Sequence, residues 1–288
     1  MRILLLGSSG MLGKYIFQEL KKNHLLFHNG INKKKNSLSK INKLKKLLIT
    51  SRPDVVINAA GFTNIDLCEK NKKKSKIINV KIIENIFNLK KKLNQQFSFI
   101  QISTDQIYDF KNKYKAKEID KPKINNEYSK QKYLAEKVCK KNKSIILRVN
   151  FFGLSMVKKE SFSDWIIKSF KKKKPFYLVD DVFFSPLRMF TIAKIISKIL
   201  RTEHLKRYGI FNLGSKDGIS KKSFALRFAD LLNIDNKLYQ TKKINNICST
   251  KRSKNMMMNV LKFEKTFKIV LPKVYKEIKE EILSYEKN

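Results

Sequence analysis

No apolar run in the chain approaches the roughly 20 residues that a bilayer-spanning helix needs, so no membrane segment is expected. The opening Met1-Arg2-Ile3-Leu4-Leu5-Leu6 reaches Gly7 too soon to serve as a secretory signal. Cysteine is scarce. Cys68, Cys139 and Cys248 lie far apart and are odd in number, which argues for free thiols in a reducing, cytoplasmic setting. His24, His28 and His204 share no ligand spacing and no Cys-x-x-Cys occurs, so no metal site is expected. Acidic residues are also few, 24 against 64 basic ones, and the formal charge is +40. Such a balance would ordinarily suggest nucleic acid or an anionic membrane. Arginine, the better reader of bases and phosphates, occurs only eight times, however. The lysines are spread throughout, beside abundant Asn and Ile, as AT-rich coding gives. Biased composition therefore accounts for the charge better than a nucleic-acid footprint does. The surplus would still steer polyanionic small molecules such as nucleotides toward the chain.

What is present suits a folded protein: 288 residues, 42% hydrophobic and 11% aromatic, enough for one large domain or two modest ones. Arg2 to Leu6 reads as a buried strand, and Lys14 to Lys22 as a helix. Leu25 to His28 reads as a second strand and Ser37 to Thr50 as an amphipathic helix. Val55 to Ile57 follows as a third strand, then a long helix from Ser75 to Lys92 with apolar residues at 78, 82, 83, 86 and 89. A strand at Phe97 to Ile102, a helix at Glu127 to Lys140 and a strand at Ser144 to Val149 complete the alternation. That order points to right-handed βαβ units and a parallel sheet covered on both faces. Beyond Asn150 the pattern loosens. Helices are expected at Phe162 to Phe170, Thr191 to Leu200, Lys221 to Leu232 and Pro272 to Tyr285, with strands at Tyr177 to Val179 and Gly209 to Gly214.

Four motifs carry chemistry. Gly7-Ser8-Ser9-Gly10-Met11-Leu12-Gly13 lies between the first strand and a helix. Gly7 permits the turn, Gly10 lets backbone amides approach a pyrophosphate, and Gly13 allows close helix packing, with the helix N terminus favouring the anion. Asn58-Ala59-Ala60-Gly61 ends the third strand, where small residues let backbone and cofactor touch. Ser103-Thr104-Asp105-Gln106-Ile107-Tyr108-Asp109 follows the fourth strand, where open parallel sheets bind ligands. In Glu127-Tyr128-Ser129-Lys130-Gln131-Lys132, Tyr128 and Lys132 are four apart and share a helix face. A free tyrosine, with a pKa near 10, is a poor acid at neutral pH. A lysine ammonium one turn away favours the phenolate and makes proton transfer feasible.

With these motifs in this order, the chain resembles the dTDP-4-dehydrorhamnose reductase family, a sugar-nucleotide branch of the extended short-chain dehydrogenase/reductases. The likeness runs from Met1 to about Phe267. It is carried by GSSGMLG, RPDVVINAAGFTNID with Glu69, Asn79-Val80, STDQIYD, EYSKQKYLAE, ILRVNFFG, VDDVFFSP, GIFNLGS and KRSKNMMMN. The resemblance implies an α/β, Rossmann-type doubly wound parallel sheet with a small C-terminal substrate-binding lobe. The NAD(P)-binding domain would be residues 1–150 with a return segment at about 186–212, and the lobe 151–185 with 213–288. It implies reduction of a 4-keto sugar nucleotide by NADPH or NADH, with Thr104, Tyr128 and Lys132 catalytic. Gly7, Gly10, Met11, Leu12, Gly13, Asn58, Ala59, Ala60, Ser103, Tyr128 and Lys132 would hold the cofactor, Lys132 on the nicotinamide ribose. Thr104, Asp105, Phe151 and Phe152 would face the substrate.

After the second strand no acidic residue stands where NAD is usually held, while Lys33 and Lys34 suit a 2′-phosphate, so NADPH is the expected cofactor. Some relatives use Mg²⁺ at a subunit interface, although the sequence shows no ligands for it, and a homodimer is the candidate assembly. The chain departs from the family at Ser253, where Pro is usual, and at Gln106, where an aromatic is common. Gln106 cannot titrate, which counts against a 4,6-dehydratase. A 4-epimerase, sharing the Tyr-Lys pair, and a non-catalytic nucleotide-binding subunit are the alternatives.

Overall fold

A computed structural model describes residues 1–29, 38–172, 174–234 and 238–286. The chain forms two compact units: Met1–Thr104, Asn126–Arg148 and Ala193–Phe211 in the first, and Asp105–Asn125, Val149–Ile192 and Asn212–Asn288 in the second.

The first unit is built on strands β1 (Arg2–Leu6), β2 (Leu25–His28), β3 (Val55–Asn58), β4 (Ser98–Thr104) and β5 (Ile145–Val149), with a sixth strand at Gly209–Leu213. They lie in the order β2-β1-β3-β4-β5 and then Gly209–Leu213. The pairs β1–β2, β1–β3 and β3–β4 are parallel, in registers such as Leu6 opposite Asn58 and Asn58 opposite Gln101. Ile3 to Leu6 and Val55 to Ile57 are fully buried, which is why both read as unbroken apolar runs rather than alternating ones. Helices cover the sheet through Ile16, Leu44, Leu48, Ile82, Ile83, Ile86 and Ala135, all buried. The chain order reverses between β1 and β3, so the loops leaving those two strands meet at a switch point, the place where such sheets bind ligands.

Two expectations change here. The first helix is Met11–Leu20, beginning directly after Gly10 rather than at Lys14. The long helix expected from Ser75 to Lys92 is interrupted by a π-helical turn, Ile77–Lys81. The wider turn carries Asn79, which is buried. Asn79 accepts the Phe62 N–H at 2.8 Å and donates to the Phe62 carbonyl at 3.0 Å and to Gln131 Oε1 at 2.9 Å.

The second unit has a core of Phe152, Phe184, Phe224 and Phe228, with the Phe152 and Phe224 rings 4.8 Å apart edge to face. Helices Phe162–Lys171, Lys221–Leu231 and Val274–Glu286 surround short strand pairs, among them Phe176–Val179 parallel to Tyr239–Lys242. Residues 105–125, expected in the cofactor domain, belong to this unit. The Ala116 N–H donates to the Met257 carbonyl at 2.8 Å and the Phe110 N–H to the Asn255 carbonyl at 3.2 Å. Asp109 accepts the N–H groups of Lys254 and Asn255, at 2.8 and 3.2 Å, so the STDQIYD segment and the KRSKNMMMN tail bind each other.

Candidate active site

The glycine loop leaves β1 in a conformation that side chains resist. Gly7 has φ +85°, and a Cβ there would stand 2.5 Å from the Ala60 nitrogen, so the turn and the Asn58–Ala60 exit of β3 touch backbone to backbone. A Cβ on Gly13 would run into the Gly7 carbonyl, which brings the start of the helix onto the loop. Gly10 caps that helix without a side-chain cap, and Met11, Leu12 and Gly13 form its first turn. Backbone N–H groups with the positive end of the helix dipole therefore stand beside a Cβ-free surface, the cradle a pyrophosphate requires. Asn58 holds the neighbouring loop: its Oδ1 accepts the Ala60 N–H at 3.2 Å and its amide donates to Gln101 Oε1 at 2.9 Å. Asn29, just past β2, accepts the Gly7 N–H through its Oδ1 at 3.0 Å, a contact the sequence did not announce. Lys33 and Lys34 lie outside the described residues.

Helix Glu127–Lys141 carries the Tyr-Lys pair. Asn126 caps it by accepting the Ser129 N–H at 2.9 Å, and the Glu127 N–H is accepted by Glu69. Gln131 fastens the helix to its neighbour by donating to Ser75 Oγ at 2.9 Å and accepting from Asn79. Tyr128 and Lys132 are 8% and 5% exposed, and Thr104, the last residue of β4, is 5% exposed. Lys132 Nζ donates to the Ile102 carbonyl at 2.6 Å, tying the helix to the strand two residues before Thr104. Burial lowers the Lys132 pKa to about 8, with Glu136 pulling it upward.

Glu136, one turn further, lies on the same face. It accepts from Ser103 Oγ at 2.6 Å, from Arg148 Nε at 3.0 Å and from Arg148 Nη2 at 2.7 Å, with both charged side chains 1% exposed. The Ser103 hydroxyl, expected near the cofactor, is thus engaged by Glu136. Neither Glu136 nor Arg148 was singled out from sequence, since a lone Glu and a lone Arg twelve residues apart carry no periodic signal.

The remaining candidates lie in the second unit. Asp105 is buried and accepts from the Asn150 amide at 2.6 Å. Gln106 donates its side-chain amide to the sulfur of Met256, and its backbone carbonyl accepts from Ser253 Oγ at 3.2 Å, so the two departures from the family pattern meet. Phe151 is half-buried. Phe152, expected to face the substrate, is instead 1% exposed and packed among Phe224 and Phe228, so its ring belongs to the core. Among the described residues, no group of three or more His, Cys, Asp or Glu side chains comes together to hold a metal ion.

The family described as the RmlD substrate binding domain matches residues 1–286. The chain belongs to this family. The dTDP-4-dehydrorhamnose reductase of Aggregatibacter actinomycetemcomitans is 24% identical over 286 residues, covering 93% of this chain and 94% of that one. A solved dTDP-4-dehydrorhamnose reductase from Clostridium acetobutylicum matches with TM-score 0.87 at 25% identity, over 99% of this chain and 100% of that one. The Bacillus anthracis dTDP-4-dehydrorhamnose reductase, solved in complex with NADP, matches with TM-score 0.88 at 20% identity, over 98% and 99% of the two chains. At that identity the likeness speaks for the fold. Membership of the RmlD family agrees with the mostly parallel sheet and its flanking helices. Among the described residues no helix is long and apolar enough to cross a membrane.

Proposed function

We propose that the chain is an NADPH-dependent oxidoreductase that reduces the keto group of a dTDP-4-dehydrorhamnose-like sugar nucleotide. The observation that carries this reading is the buried Lys132, one helical turn from Tyr128 and hydrogen-bonded to the strand that ends in Thr104. The Gly7 and Gly13 contacts and the uncapped helix at Gly10 fit a dinucleotide, and a bound dihydronicotinamide would supply hydride.

The chain's own groups do the rest. Tyr128 delivers a proton to the substrate's carbonyl oxygen, and the Lys132 ammonium stabilises the phenolate left behind. Thr104 holds the same oxygen by donating its hydroxyl hydrogen as negative charge develops. Water returns the proton to Tyr128 between turnovers.

The second unit has a cavity of its own whose chemistry suits a nucleotide. The cavity, of about 460 Å³, is lined by Phe162, Trp165, Tyr177, Ile244, Ile247 and Lys221. Aromatic walls suit a base and a lysine suits phosphate. Burial lowers the Lys221 pKa, with Asp105 acting in the opposite direction. Gln106, neutral and turned to Met256, offers no acid for a dehydratase.

The test is turnover. The protein with NADPH and a panel of dTDP-linked 4-keto-6-deoxy sugars should consume NADPH and yield the 4-hydroxy sugar, and no consumption with any of them would sink the reading. Trp165 is the chain's single tryptophan, so dTDP alone should quench its fluorescence saturably.

A further inference from the structure

Tyr128, Lys132 and Glu136 recur at every fourth position of one helix and so stack along one face. Lys132 is deeply buried, yet its hydrogen-bond acceptor is a neutral carbonyl, that of Ile102. A buried ammonium in such a place tends to lose its proton unless a carboxylate compensates. Two groups on the helix act on it electrostatically, Glu136 and Cys139. Burial pushes the Cys139 thiol far up, so it remains neutral and Glu136 is the carboxylate that counts.

Glu136 is in turn fixed by two other elements. Arg148 of β5 grips both its oxygens, and Ser103 of β4 donates to one of them. Ser103 immediately precedes Thr104. The charges sum to one surplus positive: Lys132 and Arg148 against Glu136. We propose that Glu136, fixed in place by Ser103 and Arg148, is a positioning residue that keeps Lys132 charged and ties its helix to the strand end bearing Thr104. The proposal rests on the role given to Lys132 above.

The two charges predict opposite effects. Glu136→Gln keeps an acceptor for Ser103 but removes the charge that favours the ammonium, so Lys132 should release its proton about one pH unit lower or more. Arg148→Met removes a competing cation and leaves Glu136 to Lys132, so release should move upward. Selective ¹³C labelling of lysine ε-carbons, with the Lys132 signal assigned by its loss in Lys132→Met, reads this by NMR over a pH series without substrate or cofactor. In turnover, the alkaline limb of kcat should move the same two ways.

Both titration curves lying at the wild-type position, with only the melting temperature changed, would overturn the proposal. Where a single variant fails to fold, the double variant Glu136→Gln/Arg148→Met removes both charges together. Its curve should lie below the wild type, because the carboxylate acts on Lys132 more directly than the guanidinium does, and a curve at the wild-type position would again overturn the proposal. Titration of the free protein is independent of the reaction assigned, so failure of the keto-sugar reading would leave this result standing.

Discussion

Lys132 Nζ and the carbonyl oxygen of Ile102 are 2.6 Å apart, a hydrogen bond that joins the helix carrying the proton donor to the strand carrying Thr104. The bond fixes the lysine's position relative to β4. It also leaves the ammonium's charge, rather than its hydrogen bonding alone, to act on the phenol one turn back.

Tyr128→Phe should therefore separate chemistry from binding. The ring and its packing remain and only the proton is lost, so kcat should fall by about 10²- to 10⁴-fold. The NADPH dissociation constant, measured by fluorescence titration, should change less than a few-fold. A variant that keeps full turnover would remove Tyr128 from the mechanism.

The Lys132 charge sets an alkaline limit. Its pKa is lowered to about 8 by burial, so kcat should decline as pH rises through about 8. Stability should respond in the opposite sense. In the unfolded chain the group keeps its proton to the ordinary value of 10.5, so between about 8 and 10.5 the unfolded state binds more protons. Raising pH through that window thus favours the folded state as far as this group is concerned. Lys132→Met should abolish both dependences and should melt at a higher temperature at pH 7, where the buried charge opposes folding. Melting curves at pH 7 and 9 for the two proteins check the sign.

Gly7→Ala should damage fold and cofactor site together. The positive φ opposes any side chain, and the added carbon meets the Ala60 backbone. Overpacking of that kind costs about 1–3 kcal/mol, with backbone strain on top. Gly7→Ala should lower the denaturant midpoint and weaken NADPH binding by more than tenfold. Gly209→Ala also replaces a positive-φ glycine but sits away from the loop, so it should lower stability while leaving NADPH affinity intact.

Much of the first unit was legible because its physics is local. A parallel strand buried on both faces has to be an apolar run, and Ile3 to Leu6 and Val55 to Ile57 are such runs. Tyr128 and Lys132 announce themselves by spacing on a helix whose ends are also local features. The π-turn at Ile77–Lys81 was hidden, since one extra residue per turn is specified by what Asn79 binds, not by apolar period. Residues 105–125 were misplaced for a similar reason. Their position depends on backbone pairing with residues more than a hundred positions away, such as Phe110 with Asn255. Phe152 was placed at the substrate by the family resemblance, and its contacts with Phe224 and Phe228 show it to be core.

In the second unit one guanidinium is shared by several carboxylates of the last helix. Arg188 donates to Glu281 at 2.8 Å and to Glu280 at 2.9 Å, its backbone N–H donates to Glu277 at 2.7 Å, and Ser284 accepts a further bond at 2.9 Å. Glu277 and Glu281 are almost fully buried, and Glu281 also accepts the Leu154 N–H at 2.8 Å. Burial raises the Glu277 pKa. Its folded value thus lies above the unfolded one, so its own contribution to stability declines as pH rises through that interval. Arg188→Met leaves these carboxylates without their cation, and breaking a buried pair in this way costs about 3–5 kcal/mol. The loss should be largest at neutral pH and smaller at mildly acidic pH, where Glu277 takes up a proton sooner than an exposed carboxyl would. Thermal melts of Arg188→Met and wild type at pH 7 and pH 5 should therefore differ more at pH 7. Equal differences at both pH values would mean that Arg188 acts through packing on Phe190 and the helix rather than through charge.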